Sequence, residues 1–480
     1  MANWRWESFE DLLTPEIFTI TNAGPLDGPI KSFSIRRDKD LDLVLETTVI
    51  GPVTKSSTPE RPAGTVWQPD DKVEFASLSG ATCIAHGVYA YNSKGNSRRD
   101  GLSDTTQTSN CRSITVDFKN EAVPAYTIEW LENVRTGSHV WIGTSIRDEK
   151  NIVETRVIGS EPDAIKLSDE SRPFASSSKA LKLTIGGLVL YLCGADKEVL
   201  PKQVKPGYII YTGNPTEDIR LKIRNVLSFC LGYHLEYLGC IVLDEKSDMI
   251  SMTAVASLEI GVRALEMHSP LPAPLGVRFQ QEVNQINLSV MADAIYMKYD
   301  ELRFGSLSWA YWHAICAPAH MAAAHFGATI EAIQRAYREN HPEKFDAKLI
   351  DQRTKWGEIR SGLEKVIKDG GLPSDKAEIF LNKISNLNEM PGRMVSDMVM
   401  ADIGISLNGI ETDAWKRRNA AAHGGEISQE SMLRNIRETK LLRLIFHRIL
   451  LKITGASDTY NDDFTIGHPV RMVTESIPDS

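Results

Sequence analysis

The residues Arg418-Asn419-Ala420-Ala421-Ala422-His423 place a guanidinium, an amide and an imidazole on one short stretch of predicted helix. Asn419 and His423 are four apart and stack on one face, while Arg418 starts about 140° round the axis and reaches back with a long side chain. The three alanines leave room for a ligand or another helix. Gly424 and Gly425 suit a left-handed cap. His423 then sits in the last turn, where the macrodipole favours imidazolium and the ring titrates near neutrality. An arginine for the phosphate and a titratable histidine are the minimum for cleaving RNA without a metal, the ribose 2′-OH acting as nucleophile. A solvated helix end that happens to carry Arg and His is the other reading of these residues.

A helix is predicted over Asp413–His423 and a longer one over Ser428–Ile453. The second carries Arg434, Arg437, Lys440, Arg443, Arg448 and Lys452 against Glu430 and Glu438, a local excess of four positive charges in a chain of net charge −9. With Lys416 and Arg417 this reads as a track for an RNA backbone, or as a basic face paired with acidic neighbours. Glu411 and Asp413 stand where a carboxylate could tune His423 or bind Arg418, or complement a helix N-terminus. Tyr460 and His468 are further candidates to approach the cleft. Upstream, helical periodicity runs through Val277–Glu301, Leu307–Asn340, Ala347–Lys368, Ser374–Asn386 and Arg393–Ile403. A hairpin and a polar tail follow at Ser457–Val473 and beyond. His313, Cys316 and His320 have a spacing that could hold a soft metal. Pro318 spoils that geometry, and with Trp309 and Trp312 alongside they read as a core-facing stripe, so no metal site is predicted.

The first two hundred residues read instead as strands, at Ser32–Ile35, Leu41–Val49, Ile114–Phe118, Ala125–Trp130, Val140–Ile146, Leu181–Leu192 and Tyr208–Thr212. A helix over Thr216–Leu231 and strands at Leu235–Leu243 and Met249–Ala256 complete this region. The polar stretches Lys55–Gly64, Asn92–Asn110 and Ser168–Ser178 divide the strands, and the two longest read as surface loops. No phosphate-cradling glycine loop occurs there. Three prolines in Ser269–Gly276 mark the boundary. The expected architecture is α+β: a β-dominated N-terminal region (1–270), a linker and connecting helix (271–306) and an all-α bundle with a C-terminal tail (307–480).

Composition agrees with a folded protein. At 480 residues the chain is long enough for two or three domains, and 42% hydrophobic with 24% charged residues and a mean hydropathy of −0.23 exclude disorder, collagen and coiled coil. No apolar run reaches the roughly 18 to 20 residues of a bilayer crossing. Acidic residues interrupt the N-terminus where a signal peptide needs its apolar stretch, and six scattered cysteines form no CxxC pair. A cytoplasmic location without membrane attachment is expected. The net negative charge argues against a whole-surface polyanion binder, which confines any nucleic-acid site to a local cluster.

Arg418-Asn419-Ala420-Ala421-Ala422-His423 resembles the R-polar-x-x-x-H signature of HEPN-domain ribonucleases. The approach to it from Ile384 resembles the Apea-like branch of bacterial anti-phage and toxin systems, over roughly Leu307 to Val473. The resemblance implies a helical domain that forms a homodimer, two motifs facing one composite cleft. It implies Arg418 for phosphate and transition-state charge, His423 for proton transfer or 2′-OH positioning, and Asn419 for orientation. Lys416, Arg417, Arg434 and Arg437 are then the expected RNA-binding residues. It further implies a metal-independent endoribonuclease without cofactors, which leaves a 2′,3′-cyclic phosphate and a 5′-OH on single-stranded RNA, tRNA included. Abortive infection or toxin-like restriction is the implied setting, with a β-rich region for sensing, regulation or substrate selection and a phage-derived trigger as a candidate partner. Two alternatives stay open: a non-catalytic HEPN module that binds nucleotides, RNA or a partner, and an enzyme whose activity resides in the N-terminal region.

Overall fold

A computed structural model describes residues 12–26, 28–38, 40–50, 71–97, 103–134, 143–150, 153–158, 165–170, 179–194, 207–257, 268–276, 283–345, 348–418 and 429–479. The chain is α+β, an antiparallel sheet region followed by a helical region. It divides into two compact units, one of Met1–His268 with Leu275–Asp293, the other of Ser269–Pro274 with Ala294–Ser480.

The strands of the first unit are β1 (Phe18–Asn22), β2 (Ile30–Arg37), β3 (Leu43–Ile50), β4 (Lys72–Ser77), β5 (Thr82–His86), β6 (Tyr89–Ser97), β7 (Ser103–Cys111), β8 (Ser113–Asp117), β9 (Tyr126–Leu131), β10 (Gly143–Lys150), β11 (Val153–Ile158), β12 (Ile165–Glu170), β13 (Lys179–Ile185), β14 (Leu188–Gly194), β15 (Gly207–Thr212), β16 (Tyr237–Leu243) and β17 (Met249–Val255). Strands β2-β3-β7-β6 form one sheet, and the others join in the order β1-β4-β5-β8-β17-β16-β9-β15-β14-β13-β10-β11-β12. Alternation sorts the side chains. Ile128 and Trp130 of β9 and Tyr208 and Ile210 of β15 enter a core shared with Phe33, Ile35 and Leu43 of the smaller sheet. Glu129 and Tyr211 belong to the alternate set. Helix α1 (Glu217–Leu231), capped by Thr216, brings Arg220 and Arg224 to the buried Glu129 at 2.8 and 2.5 Å, and Tyr211 Oη donates to its other oxygen at 2.9 Å.

Three expectations for this region change. Within Asn92–Asn110, residues 92–97 and 103–110 are strand: β6 and β7 pair along their length, and β7 also pairs with β3, burying Thr105, Gln107 and Ser109, while 98–102 lie outside the described residues. Partners on both sides make a strand of a polar sequence whose composition reads as loop. Ser168–Ser178 opens inside β12, while Lys55–Gly64 lies outside the described residues. The stretch Leu181–Leu192 is two strands, since Gly186 and Gly187 take the positive φ (58° and 75°) that a two-residue hairpin turn needs. Helix α2 (Gln285–Met297) presents Gln285, Ser289 and Asp293, each four apart. They accept from the backbone N–H groups of Lys182, Thr184 and Gly186 at 3.2, 3.2 and 2.7 Å. Among the described residues the pairing of β13 with β10 reaches no further than Ala180, and one helical face meets the backbone N–H groups beyond it.

The second unit holds α3 (Phe304–Cys316), α4 (Ala319–Asn340), α5 (Arg353–Asp369), α6 (Ser374–Ser385), α7 (Gly392–Asp402), α8 (Gly409–Arg417), α9 (Gln429–Thr454) and the hairpin β18 (Thr459–Asn461) and β19 (Val470–Met472). Leu307–Asn340 is two helices, because Pro318 has no N–H to continue the ladder and Ala317 is extended. The expected core-facing stripe is corrected as well. Trp312 is buried, but Trp309 is 53% exposed and lies tilted against His313, 3.9 Å between ring centroids, outside the core. The core is the contact of α3, α4 and α9, where Phe326, Ile330, Leu442, Ile445 and Phe446 are buried. His447 lies fully buried among them with its Nε2 2.8 Å from Tyr311 Oη, and burial holds its pKa well below the usual imidazole value.

At the end of α9, Arg448 is fully buried against Glu411 near the start of α8, at 2.7 Å. Its Nε donates to Val473 O at 2.9 Å and its Nη2 to Ser406 O at 3.1 Å. Glu411 also closes a capping box with Asn408, at 3.0 and 3.1 Å. Arg448→Met should destabilise the helical unit by about 3 to 5 kcal/mol, because an unpaired carboxylate is left in a dry interior. Adding Glu411→Gln should recover part of that loss, as followed by urea denaturation at 222 nm. His447 adds a pH dependence. Its folded pKa is depressed, so its contribution is intact above about pH 6.5 and falls below it by up to about 1.4 kcal/mol per pH unit. A titration in which His447→Gln does not flatten this slope would contradict the assignment.

Candidate functional site

The expected helix over Asp413–His423 begins earlier, at Gly409, and its described part ends at Arg417. The capping box is the reason: Asn408 and Glu411 satisfy the first free N–H groups ahead of Asp413. The chain beyond Ile403 and the C-terminal tail both meet this end. Asn408 Nδ2 donates to Ile477 O, and Ile477 is buried, so the tail expected to be a polar extension is part of the fold.

Arg418 follows as the C-terminal cap of α8, its side chain 16% exposed. Its guanidinium lies over the Trp415 ring, 3.7 Å from the centroid, and Nη1 donates to Trp415 O at 2.7 Å. Nε and Nη2 donate to Glu331 Oε1 on α4 at 3.1 and 2.5 Å. Gly327, one turn before Glu331, lets this happen: a Cβ there would stand 2.7 Å from Arg418 Cδ and 3.1 Å from its Cβ. Sequence reasoning missed Trp415, Gly327 and Glu331. The four-residue spacing of the last two marks one helical face, but nothing local names Arg418 as their partner.

Asn419 and His423 lie outside the described residues. Lys416 is half exposed, 3.9 Å from Asp413, and lines the same cleft as Arg418. Arg417 turns instead to α9 and pairs with Glu438 at 2.9 Å. Burial raises the Glu438 carboxyl pKa, against the pull of Arg417 and Arg434. Arg434 and Arg437 sit exposed on α9, the latter 5.7 Å from the centroid of the Phe464 ring, and neither lines the cleft. Glu411 does not bind Arg418, because its carboxylate is occupied by Arg448. Tyr460 is buried beneath Arg448, its hydroxyl donating to Glu475 O at 3.2 Å, and His468 is exposed; neither lines the cleft.

The basic helix is less basic outside than its count implies, since Arg448 is buried and Arg443 pairs with Asp463. Arg434, Arg437, Lys440 and Lys452 remain exposed. The cleft beside Arg418 has a volume of about 660 Å³ and runs between α4, α7 and α8, with Ile330, Met400, Ile405 and Ile445 among its buried apolar walls. Among the described residues no cluster of His, Cys, Asp and Glu could hold a metal ion, and no helix is long and apolar enough to cross a membrane. Compared with protein-family models, curated proteins and solved structures, the chain matches none.

Gly327→Ala tests the seat of Arg418. In an open helix this change stabilises by about 1 kcal/mol. Here it should destabilise by about 1 to 2 kcal/mol in urea denaturation, because the stem of Arg418 must give way. A stabilised variant would mean that Arg418 does not rest on α4.

Proposed function

We propose that the chain is a HEPN-type, metal-independent endoribonuclease of anti-phage or toxin-like RNA restriction, acting in the cytoplasm as a homodimer. The β-rich unit controls its activation or substrate choice. The carrying observation is the setting of Arg418 within the R-x4-H sequence: a guanidinium held over the Trp415 ring, oriented by Glu331, at a cleft of small-ligand size. Three of its five N–H donors are used among the described residues, which leaves two for a phosphate oxygen. In the proposed reaction the 2′-oxygen bonds to phosphorus as the bond to the 5′-oxygen breaks. The 2′-OH proton is lost and the 5′-oxygen gains one, with His423 serving proton transfer or 2′-OH positioning. Arg418 stabilises the charge that develops on the phosphorane. Asn419 orients the pair. The isologous contact falls to the helical unit.

A non-catalytic RNA- or nucleotide-binding module is the second reading, favoured by the pairing of Arg418 with Glu331, which already neutralises much of its charge. Single-turnover kinetics on a labelled single-stranded RNA, with and without EDTA and with analysis of the product ends, separates the two. His423→Ala should slow cleavage by about 10² to 10⁴. Arg418→Ala should slow it by about 10² to 10³ with a smaller effect on affinity, and Arg418→Lys should rescue poorly because a point charge lacks the planar fork. Weaker binding with a normal rate at saturation would favour the second reading.

A further inference from the structure

Helices α5 and α6 form an arm with a closed base. The chain leaves at Leu349 and returns at Asn388, whose backbone O accepts from Leu349 N at 2.9 Å and whose side chain binds both backbone groups of Ile350 at 2.8 and 3.0 Å. With only residues 370–373 between them, the two helices run antiparallel. Among the described residues α5 buries no side chain and α6 buries Ile384 alone. Ile359, Leu363 and Val366 of α5 and Ile379 and Phe380 of α6 are 38 to 67% exposed. A helix pair that buries so little lacks the second layer that apolar helix faces need.

Spacing assembles these residues into one surface. At about 100° per residue, Ile359, Leu363 and Val366 share an arc of about 60° on α5, with Lys355 at its border. On α6, Lys376 and Lys383 fall between Phe380 and Ile379. The half-buried Gly357, Glu364 and Ile367 on α5, and Ala377 and Leu381 on α6, mark where the helices meet. From these stripes both exposed arcs are rotated by about 100 to 120° in the same sense, and in antiparallel helices that puts both on one side. This side carries three lysines and no acid. Glu358, Glu364 and Asp369 lie about 60° or more from the α5 arc, and Asp375 and Glu378 fall outside the α6 arc.

Charge selects the occupant. A second copy would set lysine against lysine. A bilayer would accept the apolar side chains, but it would draw Lys376 and Lys383, with apolar neighbours on either side, against acyl chains that offer them no partner. An RNA backbone answers lysines and leaves five exposed apolar groups unmatched. We propose that the arm is a docking surface for an acidic amphipathic helix of a partner protein. The apolar stripe of that helix lies in the groove between α5 and α6, and its flanking carboxylates meet Lys355, Lys376 and Lys383, which completes a three-helix bundle. This docking does not depend on ribonuclease activity.

The probe is a designed helix of about three heptads with leucine at a and d and glutamate at e and g, set against the same helix with lysine at e and g. Fluorescence anisotropy reads its binding to the full chain. The glutamate peptide should bind at least about tenfold more tightly than the lysine peptide, and less tightly as salt is raised. The double variant Lys376→Glu, Lys383→Glu should invert that preference, and Val366→Gln should weaken both peptides. All three positions are exposed, where substitutions perturb folding little. In the wild-type chain the glutamate peptide should slow hydrogen exchange within residues 353–385. No binding of that peptide, equal binding of the two, a preference that survives the charge swap, or protection confined to other segments would overturn the proposal. Co-sedimentation with phosphatidylglycerol vesicles that Val366→Gln abolishes would make the face a membrane contact instead, and a dimer that the same variant dissociates would make it a contact between copies; either result overturns the partner helix.

Discussion

The contact of Arg448 with Glu411, both fully buried, is the constraint on which the arrangement around Arg418 depends. Two charges taken out of water gain little net stability over a well-packed apolar pair, yet losing one partner is expensive. What the pair supplies is a unique geometry. Arg448 also ties down Val473 and Ser406, and Glu411 holds the backbone of Asn408, so the end of α9, the start of α8 and the tail are defined by one network. With its first turn anchored there, α8 delivers Trp415 and Arg418 to the flank of α4, where only a glycine leaves space for the arginine stem.

The charges of the C-terminal helices divide between internal and external work. Arg417, Arg443 and Arg448 each meet an acidic partner, and these three pairs join α9 to α8 and to the hairpin region. The field offered to a polyanion therefore comes from fewer cations, chiefly Arg434, Arg437 and Lys440 on α9 and Arg393 and Lys416 at the cleft. In a chain of net charge −9, screening over about 8 to 10 Å makes such local groups decisive. Glu331 pairs with Arg418 itself, which gives up part of its free charge for a fixed orientation.

A similar device recurs in the sheet unit, where the buried Glu129 receives Arg220, Arg224 and Tyr211. There it fastens α1 to β9 and β15. Burial and the adjacent carboxylate push the Tyr211 hydroxyl well above its usual pKa, which suits a permanent donor better than a proton carrier.

Local patterns in the chain were enough to separate a strand-rich first part from a helical second part and to place α1 and the β18–β19 hairpin, because alternation and helical periodicity are properties of neighbouring residues. Pairing over distance was not legible. Strand β7 is polar by composition and exists because β3 and β6 flank it. Trp309 and Trp312, three apart and equally apolar, separate into surface and core only once α4 and α9 occupy one side of α3. Glu411 is an ordinary first-turn acid until Arg448, 37 positions on, is packed against it, and Glu331 lies 87 positions from the arginine that it orients. Which charge meets which is settled by where packed helices bring side chains together out of water, a three-dimensional condition that no window of sequence contains.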